Sequence, residues 1–133
     1  MRKMALGAVI LLAMVACNSN SNGSVGTRPT STAKLTILQP TTGSTVDGKD
    51  VEVKLSLVGG TVTTVTVSSA RIQPNIGHIH LRLDGNTITL LGHLDNHIKN
   101  VKAGQHILEA EYVAQDHLPW AKDILSTVSF TAR

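Results

Sequence analysis

Cysteine, methionine and aromatic residues are scarce in this 133-residue sequence. Cys17 is the single cysteine, so a disulfide within the chain is excluded. All three methionines precede Cys17. A blue-copper centre uses a cysteine thiolate and usually an axial methionine, so it cannot form from residues 18–133. A copper(I) site lined by methionines is excluded by the same count. With one Trp, one Tyr and one Phe, a folded core must consist mainly of Val, Ile and Leu.

The first 16 residues have the features of a signal peptide. Arg2 and Lys3 supply positive charge, and an apolar run follows from residue 4 to residue 16. A membrane-spanning helix needs about 20 apolar residues, whereas the apolar region of a signal peptide needs only about 7–15. We therefore predict that residues 1–16 are a signal peptide and are removed.

The end of the apolar run resembles the lipobox of bacterial lipoprotein signals. Residues Met14-Val15-Ala16-Cys17 place small or apolar side chains before a cysteine. The resemblance implies cleavage before Cys17, lipidation of that cysteine, for example with palmitate, and anchoring to the cell membrane or the outer membrane, facing the periplasm or the exterior. Asn18 after the cysteine resembles the sorting signal for the outer membrane. The alternative is an ordinary secretory signal in which the cysteine has no role.

Charge is nearly balanced once the signal peptide is removed. Loss of Arg2 and Lys3 reduces the twelve basic side chains to ten, against nine acidic ones. No cluster of Lys and Arg remains that would neutralise a row of phosphates. The composition therefore argues against nucleic acid as a partner.

Two segments of different composition follow the signal peptide. Residues 17–33 contain Cys17 and then mainly Asn, Ser, Gly and Thr, which is typical of a flexible linker. Residues 34–133 instead alternate apolar and polar side chains, as half-buried strands do. The clearest alternating aliphatic and aromatic positions are Val51, Val53, Leu55 and Leu57, and then Leu108, Ala110 and Tyr112. About seven strands separated by turn signals predict an all-β domain, an immunoglobulin-like antiparallel β-sandwich.

Local signals refine this prediction. Asp84-Gly85 is typical of a hairpin turn. Val62, Val65 and Val67 predict a further β-rich stretch whose register the pattern leaves open. Residues 91–101 are predicted as loop and strand, and a short helix is the alternative.

Several phrases resemble bacterial immunoglobulin-like domains of secreted and lipid-anchored proteins. They are Gln39-Pro40 at the end of the first strand, residues 101–108 (VKAGQHIL) and residues 126–130 (STVSF). Residues 77–85 (GHIHLRLDG) and 114–120 (AQDHLPW) look like motifs of small bacterial lipoproteins that carry one such domain. This resemblance implies the fold and an envelope location, but no particular activity.

Histidine is the residue type that points to chemistry, because all six histidines lie between His78 and His117. His78 and His80 are two residues apart on a predicted strand, so their side chains share a face and their Cα atoms are roughly 6.6 Å apart. In an immunoglobulin-like sandwich the loop entering the third strand and the loop between the last two strands lie at the same end. His117 and Asp116 are therefore predicted to approach His78.

Three neutral imidazoles, with or without a carboxylate, suit Cu(II) or Zn(II). The alternative is that His78 and His80 lie on a solvated face while His117 packs on Trp120 or hydrogen-bonds to Asp116. His106 is predicted to tie a turn together. The two others, His93 and His97, would share a face only on a helix and are otherwise loop residues.

Three common enzyme motifs are missing: the sequence has no G-x-S-x-G elbow, no H-E-x-x-H and no complete glycine-rich phosphate loop. His-x-His on a sandwich strand resembles copper-zinc superoxide dismutase, but the disulfide of that family is impossible here. We predict a non-enzymatic binding module, for Cu(II) or Zn(II) through His78, His80, His117 and Asp116. The alternative is a metal-free adhesion, assembly or structural module that recognises an envelope protein or glycan.

Overall fold

The computed structural model describes residues 27–64 and 71–133, which form a two-layer β-sandwich. The predicted signal peptide, Cys17 and the valines at 65 and 67 lie outside the described residues. Among those described there is no helix that could cross a membrane. The nine strands are β1 (Lys34–Gln39), β2 (Thr45–Val46), β3 (Val51–Val58), β4 (Thr61–Val62), β5 (Ile76–Leu83), β6 (Asn86–Leu91), β7 (Asp95–Ile98), β8 (Gly104–Ala114) and β9 (Leu125–Ala132).

One layer is a three-stranded antiparallel sheet in the order β1-β3-β7. Its central strand, β3, carries the predicted alternation: Val51, Val53 and Leu55 are buried, and Leu57 is partly buried against the core. Glu52 on the same strand is exposed. This inward and outward alternation fixes which face of the sheet covers the core.

The other layer contains six strands in the order β2-β9-β8-β5-β4, with β6 also paired to β5. The long pairings are antiparallel, whereas the two-residue strands β2 and β4 pair in parallel with β9 and β5. In β8, Leu108, Ala110 and Tyr112 are fully buried, and Val128 and Phe130 of β9 lie beside them in the core. The core therefore sits between the two sheets.

The predicted all-β sandwich is confirmed, and residues 27–64 and 71–133 contain nine strands instead of about seven. No sequence signal marks β2, since two residues are too few to produce a detectable period, whereas β4 includes Val62 of the predicted β-rich stretch. Residues 91–101 contain β7 and no helix. Asp84 and Gly85 have φ angles of 52° and 80° in the turn between β5 and β6, as the hairpin signal predicted.

Residues 28–32, which belong to the predicted linker, contact the domain. The Pro29 carbonyl accepts a hydrogen bond from the Ala121 N–H at 3.2 Å, and the Asn75 side chain accepts bonds from Ser31 and Thr32. Polar residues that cannot form a core of their own can still bond to a neighbouring surface, which composition alone does not indicate. The predicted domain boundary at residue 34 coincides with the first residue of β1.

Candidate metal site

The face of β5 that points away from the core carries polar side chains. Ile79 and Leu81 are fully buried in the core, so the alternation along the strand directs His78, His80 and Arg82 to the opposite face. His78 is nevertheless completely buried, and His80 is half-buried. Other groups must therefore cover this end of the outer face.

The loop after β8 supplies part of that cover. It turns sharply, since the His117 N–H donates to the Ala114 carbonyl at 3.0 Å and the Ala114 N–H donates to the Leu118 carbonyl at 3.1 Å. His117 itself has a φ angle of 65°, in the left-handed region that non-glycine residues seldom adopt. The turn folds the loop back so that the His117 ring lies against the His78 ring, with centroids 4.2 Å apart.

Three of the four predicted ligands meet here. His78 Nε2 lies 3.3 Å from His80 Nε2 and 3.1 Å from His117 Nδ1. One nitrogen from each ring lies within 4.8 Å of the other two. For zinc–nitrogen bonds of about 2.0–2.1 Å at a tetrahedral angle, adjacent ligand nitrogens are roughly 3.3 Å apart. The two nitrogen–nitrogen distances from His78 are therefore close to those between ligands of a tetrahedral zinc ion.

Burial favours the neutral form of His78 and His80, which is the form of imidazole that binds metal. Burial lowers the pKa of His78 to about 4, assisted by His117 and His80 and opposed by Asp116. Burial also lowers the pKa of His80, although Glu111 acts in the other direction. At neutral pH a metal ion would not have to displace a proton from either of these imidazoles.

Two ring nitrogens in the group lack partners. His78 Nδ1 and His117 Nε2 are buried without a hydrogen bond. Nε2 of His78 must serve both His80 and His117, although a ring nitrogen offers only one proton or one lone pair. The three histidines therefore do not form a fully satisfied hydrogen-bond network.

Comparisons with known proteins identify the fold. No protein-family profile and no curated protein matches the chain. Among solved structures, the chain is similar to the fibronectin(III)-like modules of CbhA from Clostridium thermocellum, with 17% identity and a TM-score of 0.54 over 74% of this chain and 93% of the other. The domain has an immunoglobulin-like β-sandwich fold.

Two further solved structures share a weaker likeness with this immunoglobulin-like domain. One is the CARDB domain of a Pyrococcus furiosus protein in complex with di-metal ions, with 9% identity and a TM-score of 0.42 over 80% of this chain and 94% of the other. The other is a human PKD domain, with 12% identity and a TM-score of 0.41 over 85% and 91%. At such identities the likeness concerns the fold alone.

Asp116, the fourth predicted ligand, is engaged elsewhere. Its two carboxylate oxygens each accept a hydrogen bond from Arg28, both at 2.8 Å. This ion pair and a bond from the Leu118 N–H lower the pKa of Asp116. The group of three ligand nitrogens within 4.8 Å does not include the Asp116 carboxylate. Asp116 therefore flanks the cluster of His78, His80 and His117 in the immunoglobulin-like domain.

The remaining histidines lie apart from this cluster. His106 ties its turn together as predicted, with Nδ1 2.7 Å from an Asp84 oxygen and Nε2 2.7 Å from the Lys102 carbonyl. His97 on β7 is exposed and lies 3.3 Å from Asp50. His93 is also exposed, in the loop before β7. Trp120 is buried and packs against Tyr112, with ring centroids 5.7 Å apart.

Residues beside the cluster were not among the predicted site residues. Arg82 makes ion pairs with Glu109 and Glu111, both at 2.5 Å, and Glu111 lies opposite His80 in the strand register. Arg28 lies 88 positions from Asp116, so no local pattern links the two. One signal was available: Arg28 is the only charged residue between Cys17 and Lys34.

Proposed function

We propose that this protein is a lipid-anchored envelope lipoprotein whose immunoglobulin-like domain binds Cu(II) or Zn(II) through His78, His80 and His117. The observation that carries the proposal is the convergence of three imidazole nitrogens within 4.8 Å. Two of the rings come from alternate positions of one strand and the third from a loop that folds back over them. Sequence positions far apart thus supply one compact set of nitrogen donors.

The donor set suits these ions for chemical reasons. Imidazole nitrogen is a good ligand for Zn(II) and Cu(II), whereas Mg(II) and Ca(II) prefer oxygen. Three protein ligands would leave a fourth position of a tetrahedral ion to water or another small donor. We propose a binding role without catalysis, in keeping with the absence of the enzyme motifs named above.

Lipid on Cys17 would hold this site close to the membrane. Eleven residues lead from Cys17 to Arg28, which contacts the loop carrying His117. A fully extended chain spans at most about 3.6 Å per residue, so the reach is roughly 40 Å. The proposed role is thus capture of metal ions in a thin layer above the membrane surface.

Isothermal titration of the full chain in detergent with ZnCl2 and with CuCl2 tests the metal proposal. We expect stoichiometric binding that His80→Ala and His117→Ala each weaken at least tenfold, because each substitution removes one of three ligands. His93→Ala is the matched control, since His93 is an exposed histidine outside the cluster. Absence of binding, or equal loss in the control, would favour the metal-free adhesion or assembly role instead.

The anchor is tested separately by mass spectrometry of the protein extracted from membranes. The proposal predicts a chain that begins at Cys17 and carries the mass of attached acyl groups. Retention of residues 1–16, or an unmodified Cys17 on protein released into the medium, would contradict the anchor without affecting the metal site.

A further inference from the structure

Arg28 makes several contacts to the loop that carries His117. Besides the two bonds to the Asp116 carboxylate, its guanidinium donates to the Leu118 carbonyl at 2.5 Å and to the Pro119 carbonyl. The Arg28 and Asp116 side chains are only 27% and 25% exposed. A planar guanidinium with five donors is suited to such simultaneous binding of a carboxylate and neighbouring carbonyls.

These contacts surround His117 on both sides in the sequence. Asp116 precedes it, Leu118 follows it, and the Asp116 carboxylate also accepts the Leu118 N–H at 3.2 Å. Because the φ angle of His117 is 65°, its backbone is in a conformation that neighbouring contacts must stabilise. Without the guanidinium, the Asp116 carboxylate and two carbonyls of the turn would lose their shared donor.

We propose that Arg28 is a positioning residue of the metal site, which holds His117 against His78 by bracing the turn from Asp116 to Pro119. The inference rests on the proposed metal-binding function and deepens it. The segment before β1 is then part of the site. Through Arg28, the residues that lead from the proposed anchor contact the loop that carries the third metal ligand, His117.

Charge and positioning predict opposite effects for Arg28. A positive guanidinium beside a cation site repels the cation, so its removal would strengthen metal binding if charge alone mattered. If Arg28 positions His117, its removal weakens metal binding instead. Asp116 does not separate the two effects, because loss of its negative charge and loss of its bracing role would both weaken binding.

Titration of the full chain in detergent with ZnCl2 tests the proposal through Arg28→Ala and Arg28→Lys. We expect Arg28→Ala to raise the dissociation constant about tenfold, as loss of a residue that orients a metal ligand commonly does. Arg28→Lys keeps the charge but lacks the planar fork, so we expect an intermediate loss. Arg133→Ala is the matched control, since Arg133 forms an exposed ion pair with Asp47. Arg133 follows the end of β9 that lies farther from the loop carrying His117.

A second measurement separates positioning from general destabilisation. In the His117→Ala background, Arg28→Ala should change the dissociation constant less than twofold, because the residue it positions is already absent. With CoCl2 as probe, Arg28→Ala should also shift the visible spectrum toward that of His117→Ala. A general loss of stability would lower affinity in both backgrounds and leave the spectrum of the bound ion unchanged.

The outcomes distinguish this inference from the proposed function. Unchanged or tighter zinc binding by Arg28→Ala, or an equal effect in the His117→Ala background, overturns the positioning role while the metal site stands. Failure of the unsubstituted chain to bind either metal overturns both. A tenfold loss that depends on His117 supports both together.

Discussion

Acidification should destabilise the metal-free protein chiefly through one buried imidazole. The pKa of His78 falls from 6.5 to about 4 in the folded chain because burial penalises the charged ring. The unfolded chain therefore takes up a proton near pH 6.5, whereas the folded chain does so only near pH 4. Since the unfolded state binds more protons in that window, the free energy of unfolding must fall as the pH falls.

The magnitude follows from the size of the pKa difference. At about 1.4 kcal/mol for each unit, the fall from 6.5 to about 4 corresponds to about 3.5 kcal/mol lost on full acidification, of which about 3 kcal/mol is lost by pH 4. The slope cannot exceed about 1.4 kcal/mol per pH unit for one proton. His80, whose pKa is lowered in the same direction by burial, adds to the loss. The carboxylates with lowered pKa, Asp47, Asp84 and Asp116, act below this window.

Urea unfolding of the chain treated with EDTA, at pH values from 4 to 7.5, measures this effect. Extrapolated free energies of unfolding should fall by about 3 kcal/mol or more toward pH 4. His78→Gln should remove most of that slope, and His93→Gln, at an exposed position, should leave it intact. A flat profile in the unsubstituted chain, or an NMR titration of the His78 ring centred near 6.5, would refute the reasoning.

Three other predictions concern single residues. Gly77→Ala should reduce the free energy of unfolding by about 3 kcal/mol or more in thermal or urea melts, because the new Cβ would lie 1.9 Å from the Val113 carbonyl oxygen. An unchanged melt would contradict the close packing of β5 and β8. Tyr112→Phe should lower the free energy of unfolding by about 1–3 kcal/mol, since the hydroxyl donor shared by the Thr61 and Asn75 carbonyls is lost. An unchanged free energy would mean that water replaces the hydroxyl as the donor. The pKa of His106 is raised by its bonds to Asp84 and Lys102. The contribution of His106 to the free energy of unfolding is therefore complete below about pH 6.5 and is lost as the pH rises through its folded pKa. In His106→Gln, this alkaline decline should disappear from the free energies measured by urea unfolding.

The period of two in the sequence was sufficient to predict the long strands. In β3, β5 and β8 alternate aliphatic and aromatic side chains face the core, so a shift by one residue would place polar side chains there. Val53, Ile79 and Leu108 are indeed completely buried. The pattern does not show that His78, Glu111 and Val113 on the outer face are buried as well. The short strand β2 was not predicted because two residues carry no period, whereas β4 contains Val62 of the predicted β-rich stretch. The parallel pairing of β2 and β4 depends on contacts distant in the sequence.

The candidate site was predicted from topology more than from motif. The alternation along β5 put His78 and His80 on one face, and the rule that two loops share an end of the sandwich brought His117 toward them. Asp116 was assigned to the metal by the same rule, yet its carboxylate binds Arg28. Its assignment to the metal stays a prediction. The ion pair with Arg28 was not foreseen, since two residues 88 positions apart leave no local signal in the sequence.

The same alternation that builds the core also keeps the cluster available to metal. If β5 were displaced by one residue, His78 and His80 would enter the space between the sheets, where Ile79 and Leu81 now lie, and unpaired imidazoles there would be strongly unfavourable. On the outer face His80 and His117 stay partly exposed to solvent, while burial of the His78 ring lowers its pKa and favours its neutral form. Affinity for a metal should therefore depend on how firmly the loop that carries His117 is held, and the contacts that hold it come from the segment before the first strand.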